Sequence, residues 1–410
     1  MRALGDPQRA YPAIQVTGTN GKTSSARMAA ALLEAEGLKT GLYTSPHLTR
    51  FTERITVAGN EIPEEVFYRE LGRIIAVAEA LGLGDLTGFE LLTALAFRWF
   101  AVTEVQAAVL EVGMGGRWDA TSLVVPRTSI ITNVEMDHKD YLGETLEEIA
   151  REKAFVIKEG TVAVTAERRP GIMAIFEERA ANIGGKLKVL GEDFSAESLP
   201  EETRSVANCR RVKVKGLYGE YLLPLPPEGE HQRSNLALAA AAAEAFLDRP
   251  LSEVRSARAL ARLSFPGRLE LLPGDPPILL DGAHNPAAAR ALARYLSRRD
   301  GGTAGGLILV LAVLADKDIP GILAPLLTLA RAAVYSANDS PRCAPPEHLA
   351  SLAPSHPPEE RVVPDLAEAL EVARAIARPG DLICITGSLY TVGLARRLLQ
   401  YEAGRPKTIK

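Results

Sequence analysis

Short apolar runs alternate with stretches of helical periodicity along most of the chain. A run at residues 13–16 indicates a buried strand, and an Ala- and Leu-rich stretch with helical periodicity extends from Ser24 to Glu36 and stops at Gly37. Further strands are predicted at residues 107–110, 128–132 and 161–164. Buried strands that alternate with helices are typical of a mostly parallel sheet covered by helices, so we predict an α/β fold.

A second series of the same kind begins after Pro266. Its predicted strands lie at residues 278–280, 307–311, 333–335 and 382–386. A chain of 410 residues is too long for one typical domain. We therefore predict a first domain at residues 1–264, a linker at 265–270 and a smaller α/β domain at 271–410.

Part of the first domain has a different pattern. Residues 186–223 are more polar, and Val212–Lys215 alternates between apolar and charged side chains in the manner of a half-exposed strand. This pattern predicts a small antiparallel insertion near 186–223. A helix is predicted after it, at residues 234–246. No internal repeat is found, so two different domains account for the chain.

The composition excludes several classes of protein. Hydrophobic residues make up 47% and charged residues 24%, as in ordinary globular proteins, and the formal net charge is −4. This acidic balance argues against a general nucleic-acid binder, which normally carries a basic excess. No apolar run reaches membrane-spanning length, and the N-terminus has no signal-peptide core. Cys209, Cys343 and Cys384 lack metal-ligand spacing, so we expect free thiols in a cytoplasmic protein.

The most informative segment joins the first strand to the first helix. From Gly18 to Thr23 its sequence is Gly-Thr-Asn-Gly-Lys-Thr. The backbone amides of such a loop point at an anion, Lys22 adds a positive charge, and Thr23 offers a hydroxyl to Mg²⁺. Val16 stands where the full Walker pattern has its first glycine, so the generic motif fails. The segment predicts a phosphate-binding loop, with an ordinary glycine turn as the alternative.

Three more polar clusters follow predicted strands, where the functional groups of parallel sheets usually lie. Glu111 precedes a glycine-rich turn and suits a phosphate-bound Mg²⁺, although hydrogen bonding to the turn amides is an equal alternative. Asp137 and His138 close another strand, where a metal site and a structural hydrogen bond are both open. Asp281 and His284 follow the first strand of the second domain and suit a nucleotide, with a helix cap and turn as the alternative.

Several motifs taken together resemble those of one enzyme family. They lie at residues 44–48 (Thr-Ser-Pro-His-Leu), 51–55, 111–121, 231–235, 265–270 and 281–286. Their order and spacing resemble the Mur ligase superfamily, specifically its folylpolyglutamate synthase/dihydrofolate synthase branch. The resemblance extends from about Leu4 to beyond Gly393. It implies a Mur-ligase-like fold, in which a P-loop ATPase domain with a mostly parallel sheet precedes a smaller, Rossmann-like glutamate ligase domain.

The resemblance also implies two Mg²⁺ ions and their ligands. Ser45 and Glu111 would bind one ion, and Glu111 and His138 would bind the other. Lys153, in the Glu-Lys-Ala motif at 152–154, would be carbamylated, which turns a cation into an oxygen ligand for Mg²⁺. Without the resemblance, the charged helix around Lys153 predicts an ordinary surface lysine.

For ATP and the acceptor, the resemblance implies further roles. The phosphates would lie on the loop formed by Thr19, Asn20, Gly21, Lys22 and Thr23. The adenine would meet Asn235, the ribose Asp281 and the phosphates Arg268, while His284 would touch the nucleotide. The groups implied in catalysis are Lys22, His138, Lys153 and Arg268. The folate or dihydropteroate side would involve Thr87, Phe89, Trp118, Asp119 and Ala120.

The implied activity is ATP-dependent addition of L-glutamate to a folate or dihydropteroate carboxylate through an acyl phosphate, with ADP and phosphate as products. A cytoplasmic monomer with only small-molecule partners is expected. Two alternatives stay open: a Mur-type amino-acid ligase for another carboxylate, and a catalytically inactive nucleotide-binding relative. Departures from the family pattern at Thr23, Trp118, Phe155 and Phe265 keep a different acceptor open. The joint presence of Lys22, Glu111, His138 and Lys153 argues against the inactive relative.

Overall fold

The computed structural model describes residues 1–137, 139–199, 210–225, 229–299 and 305–403. The chain divides into two compact units, Met1–Leu263 and Ser264–Lys410. The segment 265–270, expected to be a linker, lies at the start of the second unit. No helix in the described part of the chain is long and apolar enough to cross a lipid bilayer.

The first unit is built around an eight-stranded sheet. The strands of this unit are β1 (Ala13–Thr17), β2 (Thr40–Tyr43), β3 (Ile55–Val57), β4 (Asn60–Glu61), β5 (Ala107–Glu111), β6 (Thr128–Ile131), β7 (Val162–Thr165), β8 (Lys186–Val189), β9 (Ser195–Ser198), β10 (Arg211–Lys215) and β11 (Glu220–Pro224). The order in the sheet is β4-β3-β2-β5-β1-β6-β7-β8. Neighbours from β2 to β8 run parallel, whereas β3 pairs antiparallel with β2 and β4. The predicted, mostly parallel sheet is therefore observed.

Helices cover this sheet. Those of the first unit are α1 (Lys22–Ala35), α2 (Glu64–Ala80), α3 (Gly88–Val102), α4 (Lys139–Leu142), α5 (Leu146–Ala154), α6 (Pro170–Ile183), α7 (Glu230–Leu247) and α8 (Glu253–Ala261). Every residue from 236 to 243 in α7 is fully buried. Such an all-round apolar helix belongs inside a domain. It packs against α1 and against strands β6 and β7, and so fixes the helix that begins at the phosphate loop.

The predicted insertion at 186–223 needs one correction. Strands β9, β10 and β11 form a separate three-stranded antiparallel sheet, but β8 pairs parallel with β7 as the last strand of the main sheet. The sequence was misleading here because Lys186 and Lys188 alternate with apolar side chains, as in a half-exposed hairpin. An edge strand of a parallel sheet tolerates the same pattern, and lysines on an edge discourage pairing with other chains.

The second unit contains a six-stranded sheet. Its strands are β12 (Glu270–Leu272), β13 (Ile278–Leu280), β14 (Leu307–Leu311), β15 (Ala330–Tyr335), β16 (Glu359–Val362) and β17 (Leu382–Thr386), in the order β12-β13-β17-β14-β15-β16. All neighbours run parallel except β12, which is antiparallel to β13. Its helices are α9 (Pro286–Arg299), α10 (Ile319–Leu327), α11 (Pro346–Ser351), α12 (Leu366–Ala375) and α13 (Leu389–Ala403). Buried Leu, Ile, Val and Ala side chains fill the space between this sheet and its helices.

Candidate active site

The phosphate loop lies at the carboxyl end of the central strand β1, between Thr17 and the first residue of α1. The chain that follows β6 holds it in place. Asn133 accepts hydrogen bonds from the amide of Thr19 through its backbone oxygen, at 3.0 Å, and from the amide of Asn20 through its side chain, at 2.9 Å. The Thr132 hydroxyl donates to the Asn20 carbonyl at 2.6 Å. The loop is thus fixed before any ligand arrives, which lowers the entropic cost of binding.

Two glycines in the loop are required by its backbone. Gly21 has φ +84°, and a Cβ there would lie 2.4 Å from the Asn235 Oδ1 atom of α7. Gly18 has φ +142°, and a Cβ there would lie 1.8 Å from the Thr132 hydroxyl oxygen. Positive φ and close packing coincide at both positions, so only glycine fits without distortion.

The Gly18→Ala variant is expected to be destabilised by roughly 3 kcal/mol or more, because backbone strain and a steric overlap add at this position. Thermal and urea unfolding followed by circular dichroism would measure the loss. The matched control is Gly37→Ala, where φ is +90° but a Cβ would meet nothing within 4 Å. That variant is expected to lose only about 1 kcal/mol. Equal losses in the two variants would contradict the steric argument.

Lys22 is the first residue of α1, and Glu111 contacts the second residue of this helix, Thr23. The Lys22 ammonium donates to the carbonyl oxygens of Gly18 and Thr19, at 3.0 and 3.1 Å. Glu111, the last residue of β5, is 1% exposed and accepts from the Thr23 hydroxyl at 2.9 Å and from the Ser45 amide at 3.1 Å. The carboxylate therefore joins the loop helix to the segment after β2.

Lys153 is buried, with 3% of its surface exposed, so the surface position expected from its charged neighbours was wrong. It shares the inward stripe of α5 with Ile149, Ala150 and Ala154, since positions three to four apart lie on one face. Burial and the nearby positive charge of Lys22 lower the pKa of Lys153 to about 7, although Asp137 acts in the opposite direction. Burial therefore favours the neutral, nucleophilic form of this amine.

The phosphate loop, Lys22 and Lys153 line one small cavity at the carboxyl edge of the sheet. Its walls include Gly18, Thr19, Lys22, Gly113, Asp137 and Lys153. Loop amides and a lysine ammonium make it suited to a phosphate group. His138, predicted as a metal ligand and a catalytic residue, lies outside the described residues. Within the described ranges, no group of three or more His, Cys, Asp or Glu side chains could hold a metal ion.

The donor set nevertheless fits Mg²⁺. This ion usually takes one or two protein carboxylates and completes its shell with water and substrate phosphates, not with an all-protein cage. Buried Glu111, with the Thr23 hydroxyl beside it and the phosphate loop alongside, provides that kind of partial site. The Ser45 amide is held on the same carboxylate, which brings the segment after β2 to this edge.

Asn235 contacts the phosphate loop, as its position against Gly21 shows. Its side-chain amide donates to the Gln232 side chain at 2.9 Å, and Gln232 donates in turn to the Ser24 hydroxyl at 3.4 Å. Gln232 and Asn133 were not predicted as site residues. Asn133 directly follows a predicted strand, which is the signal that would have identified it.

The five predicted acceptor residues occupy one region of the first unit in different roles. Thr87 caps the N-terminus of α3. The ring of Phe89 packs against Gly113, where an added Cβ would lie 2.7 Å from the ring. Asp119 accepts from the amides of Gly113, Met114 and Thr121 and from the Thr121 hydroxyl, and Ala120 begins the short turn that follows. Trp118 is 81% exposed. Asp119 therefore orders the glycine-rich turn after β5, and the exposed indole of Trp118 lies next to it in the chain.

The three predicted residues of the second unit lie together at the end of β13. Asp281 accepts from the amides of Leu269 and Ala283, at 2.9 and 3.0 Å. Burial raises the pKa of Asp281 even though the Arg268 guanidinium opposes the shift. The Nδ1 atom of His284 lies 2.8 Å from the Gly282 carbonyl oxygen, so it carries the proton. The other imidazole nitrogen is then an acceptor in the neutral ring.

Comparison with known proteins identifies the relatives of this arrangement. The family model described as the Mur ligase middle domain matches residues 16–243, and the one described as the Mur ligase glutamate ligase domain matches residues 267–389. A dihydrofolate synthase/folylpolyglutamate synthase of Mycobacterium tuberculosis is 38% identical over 97% of this chain and 88% of its own length.

Two solved structures are similar over almost the whole chain. Folylpolyglutamate synthase of Mycobacterium tuberculosis complexed with ADP has a TM-score of 0.90 and 37% identity, covering 99% of this chain and 93% of that one. A bifunctional folylpolyglutamate synthase/dihydrofolate synthase of Yersinia pestis complexed with AMPPNP and a manganese ion has a TM-score of 0.84 and 30% identity, covering 97% and 91%. The Mur-ligase-like fold expected from the motifs is confirmed. The chain belongs to the folylpolyglutamate synthase/dihydrofolate synthase branch of the Mur ligases, a family of ATP-dependent ligases.

Proposed function

We propose that this chain joins L-glutamate to the carboxylate of dihydropteroate or of a folate, and converts ATP to ADP and phosphate as it does so. The observation that carries the proposal is the cavity in which the phosphate loop, Lys22 and buried Lys153 converge near buried Glu111. Such a site suits the γ-phosphate of ATP and the charge that develops on it. The choice of acceptor and of glutamate rests on the similar proteins, which are a dihydrofolate synthase/folylpolyglutamate synthase and a folylpolyglutamate synthase.

The reaction has two displacements. The acceptor carboxylate attacks the γ-phosphorus, a new O–P bond forms, and ADP leaves with the electrons of the broken bond. The amine of glutamate then attacks the acyl carbon, loses a proton, and expels inorganic phosphate. Both steps gather negative charge on oxygen, so Lys22 and the loop amides contribute by positioning and by charge stabilisation.

We propose two Mg²⁺ ions in this site, held by Ser45, Glu111, His138 and a carbamylated Lys153. When bound, Mg²⁺ neutralises phosphate charge and polarises the phosphorus centre. The chain's own contribution is to present hard oxygen ligands. Carbamylation would convert the buried amine of Lys153 into such a ligand and would remove the cost of a lysine charge held near Lys22.

Carbamylation of Lys153 is directly testable. In protein equilibrated with ¹³C-labelled bicarbonate, a carbamate carbon signal is expected in the NMR spectrum, and Lys153→Met should remove it. The same variant is expected to lose ligase activity by roughly 10²-fold. Lys186→Met, which replaces an exposed lysine on β8, is the control and should keep both the signal and the activity. A carbamate signal that survives in Lys153→Met would place the modification elsewhere.

The other roles are proposed on the family pattern and on local support. Asn235 would face the adenine, since it borders Gly21, while Arg268, Asp281 and His284 would serve the phosphates, the ribose and the nucleotide. The acceptor side would use Thr87, Phe89, Trp118, Asp119 and Ala120. We also propose a cytoplasmic monomer with only small-molecule partners, and the free thiols of Cys343 and Cys384 are consistent with a reducing compartment.

One experiment tests the function and separates its alternatives. ADP release is measured with ATP, Mg²⁺ and L-glutamate in the presence of dihydropteroate, a reduced folate or a UDP-muramyl acceptor. Stimulation by dihydropteroate alone indicates a dihydrofolate synthase, and stimulation by both pterin compounds indicates a bifunctional enzyme. Stimulation only by the muramyl acceptor would assign the protein to another class of Mur ligase. No stimulation by any acceptor would favour an inactive nucleotide-binding relative.

A further inference from the structure

The segment from Asn133 to Asp137 continues from β6 without pairing as a strand, and it carries much of the site. Asn133 binds the amides of Thr19 and Asn20. The backbone of Glu135 donates to the Thr19 hydroxyl at 2.9 Å and accepts from it at 3.2 Å. Asp137 lines the cavity with Lys153. The position of this short segment therefore determines the position of the phosphate loop.

The opposite side of the segment is held by two charged side chains. Val134, which is fully buried, donates its amide to a Glu167 carboxylate oxygen at 3.2 Å, and its carbonyl accepts from the Arg169 guanidinium. Because the segment lacks a strand partner, these side chains satisfy backbone groups that would otherwise be buried without hydrogen bonds. Arg169 also lies 3.9 Å from a carboxylate oxygen of Glu135.

Glu167 and Arg169 form a connected pair just after β7. Glu167 is 5% exposed, and one of its oxygens accepts from the amides of Arg168 and Arg169, at 2.9 and 3.0 Å, and from Arg169 Nε at 2.9 Å. Burial opposes ionisation, yet these hydrogen bonds hold the pKa of Glu167 below its usual value. The carboxylate is thus charged, and the planar guanidinium reaches both it and Val134 at once.

We propose that Glu167 and Arg169 are positioning residues for nucleotide binding, which act by clamping the segment after β6 against the phosphate loop. Neither residue is among the lining groups of the cavity, so the effect is transmitted through Val134, Asn133 and Glu135. The inference rests on the proposed nucleotide site. It predicts that loss of the clamp makes Thr19 and Asn20 more mobile and thereby lowers the affinity of the loop for nucleotide phosphates.

Adjacent Arg168 provides a matched control. Its guanidinium donates instead to the Leu190 carbonyl through two nitrogens, at 3.1 and 2.8 Å. Arg168→Met therefore removes the same side chain from the same loop without touching the clamp. Arg169→Met removes the clamp, and Arg169→Lys keeps the positive charge while losing the forked donor geometry.

The test measures MgADP affinity by calorimetry and KM for MgATP and for L-glutamate in the full chain, with the melting temperature of each variant. Arg169→Met is expected to weaken MgADP binding and to raise KM for MgATP roughly 10-fold or more, with a smaller effect in Arg169→Lys. KM for L-glutamate should stay within about twofold, as should every value for Arg168→Met. If Arg169→Met fails to fold, Arg169→Lys decides the question.

The inference is overturned if the Arg169 variants lower only the melting temperature, if KM rises equally for MgATP and glutamate, or if Arg168→Met has the same effect. The MgADP measurement needs no acceptor. If the wild-type protein binds MgADP but none of the acceptors stimulates its turnover, the proposed ligase activity is refuted. The role of Arg169 in MgADP binding can still be measured in that case.

Discussion

Replacing Lys22 with methionine is expected to lower kcat/KM for ATP-dependent ligation by roughly 10²–10³-fold, the usual effect of removing one preorganised charge that stabilises a transition state. Lys22 begins α1, and its ammonium lies over the loop carbonyls of Gly18 and Thr19, inside the cavity that we assign to phosphate. Methionine keeps most of the aliphatic stem, so packing is largely preserved while the charge is lost. Initial rates of ADP release at saturating glutamate and acceptor would measure the effect.

The control for this prediction is Lys39→Met, an exposed lysine between α1 and β2. That variant removes the same charge from the same unit and is expected to keep wild-type rates. The melting temperature of Lys22→Met should stay close to that of the wild type, because methionine keeps the packing of the aliphatic stem. A Lys22→Met enzyme with unchanged kcat/KM would refute the assignment of the loop to ATP phosphates.

The strands and the phosphate loop could be predicted from local pattern alone. Apolar runs placed β1, β5, β13 and β14 to within a residue or two, because a parallel strand buried on both faces has few polar positions. The loop was recognisable because glycines, a lysine and a hydroxyl must follow one another in sequence there. Features that depend on a few neighbouring residues can be predicted in this way.

Contacts between distant segments could not be predicted. Lys153 was expected at the surface because its neighbours are charged, but the inward stripe of α5 and the wall of the cavity bury it. The clamp joins Val134 to Glu167, which lies 33 residues further along the chain. No local sequence pattern predicts such a contact. The prediction for the lysine-rich strand β8 was wrong for a related reason, since only the sheet topology shows that β8 is an edge strand.

The role of Glu111 can be tested by a substitution that removes its charge. Two alternatives were open for this carboxylate: a ligand for phosphate-bound Mg²⁺, or a hydrogen-bond acceptor that merely orders a turn. It accepts hydrogen bonds from the Thr23 hydroxyl and the Ser45 amide, which belong to different segments that meet at the phosphate loop. Each oxygen of a carboxylate can take part in more than one interaction, so Glu111 can bind a cation while it keeps these hydrogen bonds.

Glu111→Gln separates the alternatives because it keeps the shape and removes the charge. We expect kcat to fall roughly 10²-fold or more, with the remaining rate saturating only at higher Mg²⁺ concentration, as measured by ADP release across a Mg²⁺ titration. Glu79→Gln, an exposed carboxylate on α2, is the control and should leave the titration unchanged. A structural acceptor predicts the opposite pattern for Glu111→Gln: a lower melting temperature with an unaltered Mg²⁺ dependence. A shift of the Mg²⁺ titration in Glu111→Gln but not in Glu79→Gln is therefore the result expected of a metal ligand, since the loss of a coordinating charge weakens the binding of the ion.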